Sequence, residues 1–232
     1  MFSEDIQEIE LENITLLVKW NWDYQECLDL QHQLVKEVQA DNSKRYIILT
    51  SHPHVFTHGR GLQKGKEVAK LGLQDFQQST SLPFPLFHIK RGGGLTFHYP
   101  GQYIVYPILK LNSDKMTMKN VINELLHLTQ TTLEETFQID ELTTENALLG
   151  LWREKKKLAS VGVALDRYVT FHGLALNLEF DDKMKSVLAH LFPCGISSDT
   201  YQDVASLTNS SNLAPAFHES FVKNLSSSLF NS

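Results

Sequence analysis

KRGGGLTFHYPGQYIVYP, Lys90 to Pro107, is the stretch whose reading decides the fold. Three glycines, Gly92, Gly93 and Gly94, follow Arg91. A short run, Leu95-Thr96-Phe97-His98, comes next, then the Pro100-Gly101 pair, then an aromatic-rich, strand-like run from Gln102 to Tyr106. Adjacent glycines let a backbone approach a ligand closely and take dihedrals that a side chain forbids. An ordinary surface strand gains nothing from them, because each weakens it by entropy and lost packing. The stretch reads as strand, glycine loop, strand. The loop is either punctuation between strands or the wall of a binding site.

Upstream, Phe87 to Lys90 (FHIK) reads as a short strand leading into the glycines, and residues 62–85 read as an irregular, mobile loop or lid. The segment SHPHVFTHGRG, 51–61, reads as a loop. Its histidines at 52, 54 and 58 invite a metal, but no carboxylate or cysteine accompanies them in that segment, so surface histidines are the simpler expectation. RYIILT, 45–50, is a buried strand, and residues 12–20 form another. Asp23 is placed to cap a helix running to about Ala40, with Leu30, Leu34 and Val38 on one face.

Downstream, Asp114 to Phe137 is an amphipathic helix whose apolar stripe (Met118, Val121, Ile122, Leu125, Leu128, Leu133) belongs to a core. Two strands, Leu158 to Leu165 and Tyr168 to Phe180, are joined by an Asp166-Arg167 turn. On the second, Leu174, Leu176, Leu178 and Phe180 share one face. Gly173, Ala175 and Asn177 share the other, where their small size leaves room for something lying against the sheet. Residues 181–190 read as a short polar helix, FPCGI at 192–196 as a turn, and Pro215 to Phe230 as a last helix. Neither a repeat nor a linker interrupts the chain. It reads as one domain, 1–232, of α/β (α+β) class: a mixed β-sheet flanked by helices.

Composition narrows the function classes. The 232 residues are 42% hydrophobic and carry a formal charge of −6, with a pI near 5.9. A nucleic-acid binder would show a basic face instead. No uninterrupted apolar run is long enough to span a membrane, and the acidic start is neither a secretory signal nor a basic transit peptide. The expectation is a cytoplasmic protein with no nucleic-acid or membrane partner. Two cysteines, Cys27 and Cys194, do not make a disulfide framework, and without a CxxC pair a zinc site is not expected.

Cys194 stands in a Pro-Cys-Gly turn, where a sulfur is exposed near free backbone N–H groups and its thiolate is favoured. A nucleophilic cysteine needs a base or cation beside it. His98, His172 and a lysine of the run 155–157 are the candidates. Each histidine sits beside a phenylalanine in a strand-like run, where a hydrogen-bonded core histidine is the commoner outcome. Lys157 differs from the rest of its run because it enters the strand KLASVGV and can be held on a defined face. Pattern reasoning stops at a possible cysteine nucleophile, a lysine or histidine partner, and a glycine-walled pocket.

Taken together, further blocks carry a resemblance. Arg91-Gly92-Gly93, Thr96-Phe97-His98, Pro100-Gly101-Gln102, Tyr106-Pro107, Trp152 with Lys157, Ser160-Val161-Gly162, His172 to Asn177, and Pro193-Cys194-Gly195-Ile196 stand in the order of the lipoyl(octanoyl) transferase signature. HPHVFTHGR, 52–60, resembles that family's early loop, and the likeness spans about residues 45–207. It implies the biotin/lipoate protein ligase-like fold and a cytosolic enzyme of lipoate synthesis. Such an enzyme takes octanoyl (or lipoyl) from the thioester of acyl carrier protein. It passes the group to a lysine of a lipoyl domain, on a 2-oxoacid dehydrogenase E2 subunit or the glycine cleavage H protein.

By matching position, Cys194 is the acyl-accepting nucleophile and Lys157 its partner. Arg91, Gly92, Gly93, Gly94, Leu95, Thr96, Phe97, His98, Ser160, Val161, Gly162, Gly173, Leu174 and Ala175 line the acyl pocket. No cofactor, ATP or metal is called for, because the thioester is already activated. Tyr99, Gly94, Ser51 and Ala205 depart from the family pattern, and Tyr99 beside the pocket would shorten or reroute it. Three other readings stay open: an ATP-dependent lipoate–protein ligase, an amidotransferase between lipoyl proteins, and a non-catalytic module that binds lipoyl domains.

Overall fold

The protein is described by a computed structural model covering residues 5–60, 83–112, 115–145, 149–190 and 200–231. Its central strand grows directly from the opening stretch. QYIVYPI forms β7 (Gln102–Ile108), every residue of which is buried. Among the described residues the large mixed sheet has the order β1-β2-β3-β7-β11-β10-β9-β8. Its other members are β1 (Gln7–Leu11), β2 (Ile14–Lys19), β3 (Tyr46–Thr50), β8 (Leu142–Thr144), β9 (Gly150–Arg153), β10 (Lys156–Asp166) and β11 (Val169–Asn177). β2 and β3 run parallel, and the remaining pairs are antiparallel. A small second sheet joins β4 (Val55–His58), β5 (Leu86–His88) and β6 (Leu95–His98), in the order β5-β4-β6.

Alternation along the strands sorts side chains to two faces. Leu16, Val18, Ile47, Leu49, Tyr103, Val105, Leu174 and Leu176 point one way. They pack on α2 (Met118–Phe137) and α4 (Leu213–Ser226) through Val121, Leu125, Leu128, Phe217 and Phe221. Leu17, Ile48, Ile104, Tyr106, Phe171 and Ala175 point the other way, onto Cys27, Leu34, Val35 and Val38 of α1 (Tyr24–Ala40). The Asp23 side chain accepts from the N–H groups of Gln25 and Glu26, as the sequence predicts for a helix cap. A third cluster holds the small sheet on α3 (Asp182–His190): Phe56, Leu95, Phe97 and Tyr99 against Met184 and Val187.

Several boundaries differ from the sequence reading. The histidine-rich segment 51–61 is not all loop, because Val55–His58 pair with both β5 and β6. β1 was not expected. Its Glu8 and Glu10 alternate with Ile9 and Leu11, the pattern of a charged edge strand. α2 starts at Met118 behind a Thr117 cap, not at Asp114. The β10–β11 turn is centred one residue later than expected. Asp166 pairs with Val169, and Arg167 and Tyr168 both have positive φ, 47° and 68°, as a two-residue hairpin turn requires. α4 begins at Leu213, before Pro215, and Leu229 belongs to a separate short turn, Leu229–Asn231. Most of the expected lid (residues 62–82 of 62–85) and the FPCGI turn lie outside the described residues.

Candidate active site

Lys157 is a buried lysine. It is 3% exposed, and its Nζ lies 5.3 Å from the centroid of the Trp152 ring. Its orientation follows from a β-bulge, where the pairing of β10 with β9 shifts between Lys157 and Ala159. An inserted residue changes which side chains face which way. Leu158, Ala159 and Val161 therefore all enter the α2/α4 core, which leaves Lys157 on the face of Ser160 and Gly162. Gly150 makes space for it: a Cβ there would lie 2.7 Å from Lys157 Cε and 2.1 Å from the Ala159 carbonyl oxygen. The segment after α3 returns to this point, where Tyr201 bridges to Lys157 and the Gln202 N–H donates to the Lys157 carbonyl.

Further along the same face, Ser160 pairs with Ala175 and Gly162 with Gly173. The glycine loop closes over it. A Cβ on Gly162 would stand 3.1 Å from both Arg91 Cδ and the Gly92 carbonyl oxygen, so Arg91 and Gly92 rest on β10. Gly93, at φ 81°, occupies the left-handed region that glycine takes at no steric cost. Arg91 is buried and fixed. Its Nη2 donates to the Thr57 carbonyl (3.0 Å), Thr57 Oγ1 (2.8 Å) and Thr96 Oγ1 (2.7 Å), and its Nη1 donates to the Gly92 carbonyl (2.9 Å). Lys157, Ser160 and Gly162 thus share one face of β10, and Arg91 and Gly92 cover that face at Gly162.

Behind Arg91 lies a buried aromatic–histidine cluster. His52 Nδ1 is 2.7 Å from the Trp22 carbonyl oxygen, and its Nε2 is 3.0 Å from Tyr106 Oη. His98 Nδ1 lies 2.9 Å from Gln102 Oε1. Tyr24 stacks on His98 and meets His52 edge-on. His172 meets Tyr106 edge-on. Burial disfavours the imidazolium at all three histidines. It draws His52 down to about 4 and His172 to about 3, and holds His98 well below the ordinary range. The nearby Arg91 guanidinium pushes His98 and His172 the same way.

His172 is also strained. It takes φ 55° inside a strand, a conformation that costs an L-residue roughly 1–2 kcal/mol. The turned backbone sends its N–H to Gln31 Oε1 on α1 (2.8 Å). Strict alternation would place its ring with Leu174 and Leu176, yet the ring lies against Tyr106 on the opposite face.

The remaining site expectations fall as follows. His54 pairs with Asp181 at 2.6 Å, so a carboxylate does reach the early loop, from the far end of the chain. His58 stacks edge-on with His88. The three loop histidines thus have three separate sets of partners. Leu95 and Phe97 point into the small-sheet core, and Val161 and Leu174 into the α2/α4 core. These four are core side chains. Gly173 is small for the sake of β7: a Cβ would meet the Val105 carbonyl oxygen at 2.0 Å. Gly94 accepts from the Gly59 N–H, and buried Ser51 accepts the Asn21 N–H on its Oγ. Tyr99 is wholly buried, with its ring near Phe97 and Phe180 and its hydroxyl donating to Asn177 Oδ1. Its bulk is taken up by that core. Cys27 is fully buried, and desolvation drives its thiol far above the usual range, so it is inert. Cys194 lies outside the described residues.

Sequence reasoning singled out neither Tyr24 nor Gln31, and it gave Thr57 and Tyr106 no role of their own beyond the blocks HPHVFTHGR and Tyr106-Pro107. Gln31 occupies the apolar face of α1, where a lone buried amide is the one detectable signal.

The chain belongs to the lipoyl protein ligase A/B catalytic domain family, whose model matches residues 23–228. It is 36% identical over 192 residues to the octanoyltransferase of Bacteroides thetaiotaomicron, covering 78% of this chain and 80% of that one. It is 30% identical over 217 residues to the octanoyltransferase of Bdellovibrio bacteriovorus, covering 87% and 92%. Its fold matches a lipoate-protein ligase A crystallised with ATP, at a TM-score of 0.63 and 14% identity, over 94% of this chain and 85% of that one. The expected ligase-like fold is therefore the observed one.

Proposed function

We propose that this chain is an octanoyltransferase of lipoate synthesis, acting as one catalytic domain in the cytoplasm. The observation that carries the reading is a buried lysine, Lys157, on the strand face against which the glycine loop rests. Octanoyl–acyl carrier protein is the donor, and a lipoyl-domain lysine is the acceptor. The Cys194 thiolate attacks the thioester carbonyl, the C–S bond to the carrier breaks, and the carrier thiolate takes a proton from the Lys157 ammonium. The acyl group then sits on sulfur in a bond of the same kind, so the exchange is close to isoenergetic. The acceptor amine next attacks this acyl-enzyme. Neutral Lys157 takes the proton the amine sheds, Cys194 leaves as thiolate, and an amide remains. Sequence proximity supports the pairing, since Cys194 precedes by seven residues the Tyr201 that bridges to Lys157. Burial of the chain against that face contributes about 0.8 kcal/mol per methylene.

The test is intact-protein mass spectrometry after mixing the enzyme with octanoyl–acyl carrier protein, without ATP. The expected result is a gain of one octanoyl group, lost on adding an apo lipoyl domain. Cys194→Ser abolishes the gain and Cys27→Ser keeps it. Equal loss in both would overturn the nucleophile. Acceptor octanoylation only with ATP and free octanoate would make the protein a ligase. No gain under either condition would leave a lipoyl-domain-binding module.

A further inference from the structure

Two buried amides, Gln102 at the start of β7 and Asn177 at the end of β11, stand opposite each other in register. Carbonyl groups on either side fix how both are turned. Gln102 Nε2 donates to the Phe97 carbonyl (3.3 Å) and to Asn177 Oδ1 (3.1 Å). Asn177 Nδ2 donates to the Gln202 carbonyl (3.4 Å). Turning either amide over would set oxygen against oxygen, because a carbonyl only accepts. Gln102 Oε1 therefore faces His98 Nδ1 (2.9 Å), and that nitrogen carries the proton. Burial keeps His98 neutral, so its Nε2 accepts, and Thr57 Oγ1 is the donor at 3.4 Å. The same Thr57 oxygen accepts from Arg91 Nη2 at 2.8 Å.

Every link thus donates in one direction: Arg91 to Thr57, Thr57 to His98, His98 to Gln102, Gln102 to Asn177, and Asn177 to the Gln202 carbonyl. Hydrogen bonds in such a series polarise one another, the more so in an interior of low dielectric. Two of its links are amides, which keep their protons, so the series sets positions and relays no proton. It begins at the guanidinium beside the glycine loop and crosses into the large sheet at the His98–Gln102 bond. It ends on Gln202, whose N–H donates to the Lys157 carbonyl (3.1 Å). The Val204 N–H returns to the Asn177 carbonyl (3.0 Å), so Asn177 holds the chain on both sides of Asp203.

We infer that Gln102 and Asn177 are positioning residues for the transfer. Through Gln202 they fix the backbone of Lys157 with reference to Arg91, so that the lysine and the cover over its strand keep one spacing. This rests on the reading that Lys157 takes part in acyl transfer.

The test uses the full-length protein labelled with fluorotryptophan. Fluorine NMR gives one signal each for Trp20, Trp22 and Trp152, the three tryptophans of the chain, and Trp152→Phe assigns the last. Trp152 reports on Lys157, whose Nζ lies 5.3 Å from its ring centroid. Gln102→Met removes the link without adding charge. Gln102→Glu keeps the acceptor toward His98 and loses the donor toward Asn177. In both, the Trp152 signal moves, and single-turnover loading of octanoyl from octanoyl–acyl carrier protein slows about tenfold. Tyr99→Phe is the comparison. It deletes a hydrogen bond to the same Asn177 Oδ1 (2.9 Å) and leaves the series whole, so it lowers the melting temperature and moves neither readout. A merely structural role would make the three variants alike. An unmoved Trp152 signal in folded Gln102 variants, or loading within about twofold of the unsubstituted rate, would overturn the inference. So would a response to Tyr99→Phe as large as theirs. Failure of the unsubstituted protein to load octanoyl would overturn the transferase reading instead, and the fluorine signals would still decide whether the series reaches Lys157.

Discussion

Acidification should destabilise the protein steeply between pH 6.5 and 5. His52 and His172 are buried and neutral, with titration drawn down to about 4 and about 3 by desolvation. In the unfolded chain both titrate near the ordinary value of about 6.5. Between the folded and unfolded values the unfolded state binds more protons, so stability rises with pH there. The contribution is complete above about pH 6.5 and is lost as pH falls toward the folded values. Each histidine gives up about 2 kcal/mol by pH 5, or about 4 kcal/mol for the pair. His98, held well below its ordinary value by the same burial, adds in the same direction. A domain of this kind has only about 5–15 kcal/mol in total. Urea unfolding followed by tryptophan fluorescence gives the measurement. With a slope of about 3 kcal/mol per molar, the midpoint drops by more than about 1 M between pH 7.5 and 5. His52→Gln removes one titrating group and flattens that dependence. A midpoint constant within about 0.3 M over the same range would refute the neutral, buried cluster.

Gly150→Ala would place a Cβ against the Ala159 carbonyl and Lys157 Cε. Displacing Lys157 by about 1 Å is expected to cost on the order of 100-fold in kcat, read by discharge of the acyl-enzyme to an apo lipoyl domain. Arg91→Lys leaves one nitrogen to serve acceptors now held by a fork of two. It should lower stability by about 2 kcal/mol or more in urea unfolding.

Much of the frame is legible in the sequence because it follows local rules. The Asp23 cap, the α2 stripe and the buried run Tyr46–Thr50 each declare themselves within a few residues. Lys157 is legible too, because it enters a strand while its neighbour Lys155 stays in the exposed turn. The histidine cluster is not. His52, His98 and His172 are brought together by three different strands or loops, and their partners come from β7, α1 and the residues just before α1. The φ of His172 and the bulge beside Lys157 are also illegible: the positive φ falls on the histidine and not on its neighbour Gly173, and no glycine stands at the bulge. Both are set by tertiary partners: Gln31 in the first case, the β9 pairing in the second. The edge strand β1 was hidden by its own charges, because Glu8 and Glu10 interrupt the apolar residues Ile9 and Leu11.

The position of the small sheet bears on how the family can vary. β3 and β7 pair directly, with Thr50 opposite Ile104, so the chain that leaves the large sheet after Thr50 and re-enters it at Gln102 is one excursion closed at its base by an antiparallel pair. Arg91, the glycine run and the β4-β5-β6 sheet all ride on that excursion, whereas Lys157, Ser160 and Gly162 belong to the sheet itself. Lengthening a closed excursion is cheap, about 0.6 kcal/mol for each doubling. The cover over β10 is thus a replaceable part and the sheet beneath it is not. Evolution, or a designer, can exchange the segment that decides what fits without rebuilding the strands that hold the reacting end.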